Sequence, residues 1–441
     1  MKPSLTVVGG GLSGCEAAYR AAAYGLKVRL VEMKPILFSP AHSNPDLAEL
    51  VCSNSFRSDD LKNAVGLLKA ELRRLGSIVM LAADQTRVPA GRALAVDRES
   101  FSQLVTSKLG SLPQIEIVRD VFQPPLNNQG PLVIAAGPLA EDALTEALSA
   151  ITGAENLHFY DAVAPVVTKE SLDLSRMFFA DRYGQAPGGD YLNAPMDKEL
   201  FVAFLNALKE ADQSEKRTFE NERYFEGCLP IEVMAQRGVH TLAYGPMKPV
   251  GLIDPKTNQR PYAAVQLRRE DEAGTHWNIV GFQTRLTRQA QMRVFRLIPG
   301  LENAQFARFG SIHRNTFLTA PKVLDPYQRL KVAPEIFIAG QLSGVEGYVE
   351  SAAQGLWAGE NAARYVLGKP LVRPPEATAS GALLGHLTRD SSNFSPSNIT
   401  FGLFPPVPPN ITKAEQASFR QNQSQSLLED FLREIDYPLG P

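Results

Sequence analysis

The stretch LTVVGGGLSGCEAAYRAAAYGLKVRLVEMKP, from Leu5 to Pro35, decides the fold. An apolar run, Leu5 to Val8, enters Gly9-Gly10-Gly11-Leu12-Ser13-Gly14. An alanine-rich helical stretch follows, then a second apolar run, Val28 to Val31, which ends on Glu32. This is strand, tight turn, helix and strand, with the G-x-G-x-x-G spacing on Gly9, Gly11 and Gly14. The glycines permit the turn, let the backbone approach a pyrophosphate and let the helix pack on the sheet. Free N–H groups at the helix N-terminus, and its dipole, favour the phosphates. An acid about 20 residues on accepts hydrogen bonds from a ribose, and suits FAD or NAD better than a 2′-phosphate. Glycine-rich structural turns share the spacing, but here every contextual element is present around it.

A second glycine-rich signal lies far away in PEIFIAGQLSGVEGYVESAAQGLWAGENAARYV, Pro334 to Val366. Ile336 to Ala339 reads as a buried strand and Val349 to Val366 as a helix with small residues for close packing. A C-terminal strand, glycine turn and helix paired with an N-terminal fingerprint is the split layout of large flavoproteins, and adds Gly340 and Gln341 to the expected cofactor contacts. Pro131 to Leu139 reads as a further strand and turn.

The centre differs in texture. Met196 to Lys209 has helical periodicity, while Thr241 to Tyr244, Ala263 to Leu267 and Trp277 to Phe282 read as short strands. The expected organisation is therefore a discontinuous FAD-binding domain, residues 1–190 and 300–441, around an α+β insertion at 191–299. A tail rich in Pro, Ser and Asn ends in an amphipathic helix, Lys413 to Ile435.

The 441 residues are 44% hydrophobic with a formal net charge of −2, the balance of a globular chain of two or three domains. No apolar stretch approaches the roughly 20 residues needed to span a bilayer, and a strand begins almost at once where a leader would stand. The expectation is a cytoplasmic protein with no membrane contact. Its three cysteines, Cys15, Cys52 and Cys228, are too scattered for a disulfide framework or a metal site.

Two cysteines have surroundings that suit chemistry. Cys52 sits in the polar run LVCSNSFRSDDL, where Arg57 and helix-terminal N–H groups favour a thiolate. Cys228 sits in YFEGCLPIE, where Glu226 and Glu232 oppose one, so that it needs a cationic partner. Cys15 follows the last fingerprint glycine and reads as a small buried hydrophobe. Of the histidines, only His42 and His313 adjoin these segments. From Arg285 to Lys331, nine Lys/Arg face two acids, Glu302 and Asp325. On a helix over Thr284 to Leu297, Arg285, Arg288, Arg293 and Arg296 share one broad face, a pattern that suits phosphate neutralisation on a polyanion. The alternative is a solvated helix face.

The runs VVGGGLSGCEAA, LVEMKP, LVCSNSFRSDDL, NAVGLLKAELRRLGS, VPAGRALAVDRESFS, YFEGCLPIEVMA, LAYGPMKPVGL, RVFRLIPGLENAQFARFGSIHRNTF and IFIAGQLSGVEGYVESAAQGLWAG resemble the TrmFO family, folate- and FAD-dependent tRNA (uracil-5-)-methyltransferases. The resemblance covers essentially the whole chain. It implies an α/β fold, a Rossmann-like FAD-binding domain of the GidA/TrmFO type with an α+β insertion. It also implies methylenetetrahydrofolate as one-carbon donor, NADH or NADPH as the source of reducing equivalents for FAD, and 5-methyluridine formation in the T-loop of tRNA, with the T-arm as partner and no metal. Two family cysteines are linked to addition at uracil C6 and removal of the C5 proton, and Cys52 and Cys228 stand at the matching motifs, with Cys228 favoured as nucleophile. One departure is Ala194, where many members are expected to carry cysteine. The competing expectations are the same chemistry on ribosomal RNA and a plain FAD-dependent NAD(P)H oxidoreductase.

Overall fold

The computed structural model describes the chain apart from residues 1–3, 127–129, 154–156, 183, 185–187, 215–228, 390–393, 439 and 441. Its first sheet has six strands in the order Arg329–Leu330, Ala333–Ile338, Leu132–Ile134, Ser4–Val8, Lys27–Glu32 and Ile115–Arg119. All neighbours run parallel except the antiparallel edge pair Arg329–Leu330 and Ala333–Ile338. Strand order reverses about Ser4–Val8, with Lys27–Glu32 on one side and Leu132–Ile134 on the other. Open α/β sheets bind ligands beyond the carboxyl ends of their strands at such a reversal.

Small residues set the layer above this sheet. Helix Leu12–Ala22 packs along helix Tyr348–Val366. A Cβ at Gly355 would come within 2.0 Å of the Ser13 carbonyl oxygen, and one at Gly359 within 2.5 Å of that of Ala17. The glycines of the second helix are thus where the two backbones touch. Helix Gln416–Glu434 returns the tail to this body. There the buried Glu71 accepts from the Ala379 and Ser380 N–H groups and from the Ser424 hydroxyl.

A second lobe is built on an antiparallel sheet ordered Phe178–Phe179, Leu192–Met196, Ala263–Arg269, His276–Ile279, Val166–Thr168 and Phe306–Arg308. Phe201, Phe204, Trp277, Phe282 and Phe295 fill its core. Its strands come from both sides of the expected limits 191–299. The described residues of the lobe lie in the excursion between two strands, Leu157–Val163 and Ser311–Phe317, that pair antiparallel with Val163 opposite Ser311. A three-stranded sheet, Ser55–Ser58, Ala93–Val96 and Arg87–Val88, lies after the first βαβ unit.

Two local expectations are corrected. Thr241–Tyr244 is a single helical turn, since Gly238 and Gly245 bound it and the Tyr244 N–H reaches the His240 carbonyl at 2.9 Å. The basic helix is Arg288–Phe295 and not Thr284 to Leu297. Thr287 caps it by accepting the Ala290 N–H, as threonine does at an N-terminus, and the residues before it are extended against Gln213 and Ser214.

Candidate active site

At the strand-order reversal lies a cleft lined by Gly9 to Ser13, Glu32, His42, Val51, Ala135 to Leu139, Gly340, Gln341 and Tyr348 among others. The glycine turn meets it as the spacing requires. Gly9 has φ +99°, and a Cβ there would lie 2.5 Å from the Ala135 oxygen. One on Gly14 would lie 1.8 Å from the Gly9 oxygen. Gly11 caps the helix without a side chain, and a Cβ on it meets no protein atom within 4 Å, so it borders the open cleft. Glu32 accepts the Gly10 N–H at 2.6 Å and the Lys34 N–H at 3.0 Å, which fixes its carboxylate at the mouth of the turn.

The second glycine turn reaches the same place. Gly340, at φ +73°, holds its α-carbon so near Ser13 that a Cβ would lie 3.0 Å from the serine Cβ. The Ser13 hydroxyl is buried in the cleft wall with no hydrogen-bond partner among the described residues. An unpaired buried hydroxyl beside a helix N-terminus, a glycine cradle and a fixed acid fit a dinucleotide with a phosphate at the turn. Gln341 donates to Glu346 at 2.9 Å. Cys15 is fully buried and its thiol donates to the Gly10 carbonyl at 3.3 Å. Burial, then Glu32 and Glu16, push that thiol far up, so it packs as an apolar group.

Cys52 stands beside the cleft on a loop gripped from several directions. The Tyr348 hydroxyl accepts the N–H of Cys52 at 2.8 Å and of Ser53 at 3.1 Å. The Cys52 carbonyl accepts from Arg98 and from Arg308, each at 3.2 Å. Arg98 also donates to the Leu50 carbonyl, and Arg308 to that of Val51. Arg268 donates to the Ser53 hydroxyl at 2.8 Å and to Asn54 Oδ1 at 3.0 Å. Arg268 and Arg308 belong to the second lobe, so the loop is clamped between the two sheets. Glu270 pairs with Arg98. Burial and the neighbouring Arg98 charge pull Arg308 down to about 10. Arg57, expected near the thiol, instead pairs with Glu350 on the long helix.

Two histidines border the site. His42 lines the cleft and lies 2.5 Å from the Ser39 hydroxyl through Nδ1; burial, then Lys34, push it down. His313 is pushed down by burial and then by His42.

Cys228 and Glu226 lie outside the described residues. Glu232, expected to flank the thiol, is fully buried and accepts the Thr284 hydroxyl and the Arg285 N–H, both at 2.8 Å. It therefore anchors the segment after Cys228, and burial pushes its carboxyl up. Among the expected arginines, Arg288, Arg293 and Arg296 are exposed, while Arg285 is 4% exposed and sits apart from that face. Arg293 pairs with Asp212 at 3.3 Å, and Arg296 donates to the Ala304 carbonyl at 3.0 Å. Among the described residues no cluster of three His, Cys, Asp or Glu could hold a metal, and no helix is long and apolar enough to cross a membrane.

Sequence reasoning missed Tyr348, Arg98, Arg268 and Arg308. Only Tyr348 carried a local signal, its place directly after Gly347 at the start of a helix.

A family model described as glucose inhibited division protein A matches residues 4–370. A Geobacter sulfurreducens protein named methylenetetrahydrofolate--tRNA-(uracil-5-)-methyltransferase TrmFO is 52% identical over 441 residues, covering 100% of each chain. A Moorella thermoacetica protein of the same name is 54% identical over 408 residues, 92% of this chain and 93% of that one. The structure of Aquifex aeolicus GidA matches with a TM-score of 0.70 over 98% of this chain and 74% of its own, at 18% identity, which is a likeness of fold.

Proposed function

The chain belongs to the TrmFO family, and on that premise we propose that it methylates uracil C5 in tRNA, at the T-arm, with methylenetetrahydrofolate as one-carbon donor. The observation that carries this reading is the placement of Cys52 beside the glycine-lined cleft, in a chain that matches a TrmFO protein from end to end. FAD is the group we assign to the cleft. When bound and reduced, at the expense of NADH or NADPH, it supplies the hydride equivalent that turns a methylene into a methyl.

The chain's own residues do the rest. Gly9 to Gly14 and Ser13 would hold the pyrophosphate, Glu32 a ribose, and Gly340 and Gln341 the second turn. Uracil C5 is a weak carbon nucleophile. A thiolate adding to C6 makes the C5–C6 unit an enolate, and C5 then bonds the one-carbon unit, whose bond to the carrier nitrogen breaks with the electron pair leaving on nitrogen and the hydride equivalent taking its place. Loss of the C5 proton to a base, and of the thiolate from C6, restores the ring. We assign these two roles to Cys52 and Cys228, with Cys228 as nucleophile and Cys52 as base. The clamp on Leu50 to Asn54 would fix the Cys52 thiol relative to the cleft. Such an enzyme, fed by tRNA and reduced nicotinamide, works in the cytoplasm.

The test is incubation with unmodified tRNA, methylenetetrahydrofolate and NADH or NADPH, followed by nucleoside analysis. 5-Methyluridine at the T-loop is expected. Methyl label arriving in tRNA from S-adenosylmethionine without folate would overturn the reading.

A further inference from the structure

The rings of Phe306 and Phe309 lie nearly parallel, with centroids 5.0 Å apart and 12° between planes. The other aromatic contacts described within the second lobe are tilted or edge-on, between 37° and 67°. Phe201, Phe282 and Phe295 are fully buried, whereas Phe306 and Phe309 keep part of their surface in solvent. The exposed Arg288 places its guanidinium 5.6 Å from the Phe309 ring centroid. Three flat groups thus gather at the surface, with Phe306 half-buried against the core of the lobe and its ring-stacked neighbour Phe309 beside the exposed Arg288.

The stack stands close to the chemistry. Phe306 opens the edge strand Phe306–Arg308, and a register shift between these two residues marks a bulge. Bulges at sheet edges re-aim side chains. Two residues after Phe306, Arg308 reaches the Val51 and Cys52 carbonyls. At the end of the helix beside the stack, the exposed Arg296 adds positive charge, while the exposed Arg293 pairs with Asp212.

We propose that Arg288, Phe309 and Phe306 form a platform on which one unstacked tRNA base lies while the target uracil occupies the site beside Cys52. The proposal rests on the tRNA reading above. An enzyme that acts on a base inside a folded loop must take it out of the stack, and a second flat surface offsets the stacking lost by a neighbour. Aromatic rings and guanidinium planes both serve, since every base has a π-face. The nearby arginines suit the phosphates that flank such a base. The platform selects an unpaired, splayed nucleotide and reads no sequence.

The experiment measures tRNA affinity of the flavin-loaded enzyme as a function of salt. Phe309→Ala is expected to weaken binding by about tenfold with an unchanged salt slope, and Phe309→Trp to restore it. Arg288→Ala is expected to weaken it similarly. A set of tRNAs with single abasic sites in the T-loop should contain one that loses as much affinity as Phe309→Ala, with no further loss when the two are combined. Flavin content reports the fold, and the abasic series together with the exposed Arg288 covers the case in which Phe309→Ala fails to fold. Wild-type affinity in both Phe309→Ala and Arg288→Ala, or additive losses for every abasic site, would overturn the platform while leaving 5-methyluridine formation standing. A wild-type enzyme that makes no 5-methyluridine would instead strike the tRNA reading itself.

Discussion

The phenolic oxygen of Tyr348 accepts the backbone N–H of Cys52, a residue 296 positions earlier, at 2.8 Å. The hydroxyl takes a second bond from Ser53, while the Tyr348 ring packs on Phe56 at 5.7 Å between centroids. One side chain thus joins the start of the long helix to the cysteine loop. Burial, then Cys52 itself, push the phenol up, so it stays protonated. Tyr348→Phe keeps the ring and removes the acceptor, leaving two N–H groups without it. Each unpaired buried donor costs about 1–3 kcal/mol. The variant should bind FAD normally yet form 5-methyluridine at least about tenfold more slowly, measured in single-turnover reactions.

Cys52→Ala and Cys228→Ala should each abolish 5-methyluridine formation while NAD(P)H still reduces the flavin. Losing a member of a site that acts as a unit can cost many orders of magnitude. Only the nucleophile variant should also fail to form a denaturation-resistant adduct with tRNA carrying 5-fluorouridine at the target. Cys15→Ala should be fully active. Near wild-type methylation by both of the first two variants would refute the two-thiol assignment.

Gly11→Glu and Gly14→Ala separate cofactor binding from folding. A Cβ at 11 meets no protein atom within 4 Å, so Gly11→Glu should fold and be isolated colourless, with a carboxylate where the pyrophosphate belongs. Gly14→Ala drives its Cβ into the Gly9 carbonyl and should lower Tm or prevent soluble expression. Stoichiometric FAD in a well-folded Gly11→Glu protein would sink the assignment of the turn.

The basic segment should divide between surface and interior. Arg293→Ala with Arg296→Ala should weaken tRNA binding and reduce the slope of log affinity against log salt by roughly one per lost phosphate contact. Arg285→Ala, inside the lobe, should lower stability instead. A salt slope unaltered by the surface pair would remove them from the RNA interface.

Glu16 gives a pH signature. Its carboxyl is buried and accepts the Val79 N–H at 2.9 Å and the Ser77 hydroxyl; burial raises it from 4.5 to about 7. Between those two pH values the folded chain keeps a proton that the unfolded chain has released, so stability falls as pH rises through the window. Glu16→Gln retains an acceptor oxygen and cannot ionise. Its Tm relative to wild type should be higher at pH 8 than at pH 5, and an equal difference at both values would refute the linkage.

What could be read in the sequence was local. Gly9, Gly11, Gly14 and Glu32 announce themselves because turn, helix and strand follow one another within a single unit, and the small residues of the long helix signal close packing without naming its partner. The clamp on Cys52 gave no such notice. Arg98, Arg268 and Arg308 converge from strands and helices whose association is a matter of sheet order, and an arginine bound to a carbonyl resembles any other in sequence. Arg285 was misplaced because a helical wheel begun at Thr284 ignored Thr287, a side chain able to cap a helix. That threonine was the available signal.

The pairing of Val163 with Ser311 has a bearing on ancestry and engineering. Directly opposed residues of an antiparallel pair lie about 5 Å apart, so to the parent sheet the entire second lobe is one long hairpin tip. A tight turn grafted between these two residues would excise it without disturbing any strand of the flavin sheet. The trimmed protein would keep the glycine cradle and Cys52 but lose Cys228, Arg268 and Arg308 together. The two thiols proposed for the chemistry would then be parted, Cys52 staying with the glycine cradle and Cys228 leaving with the excised segment.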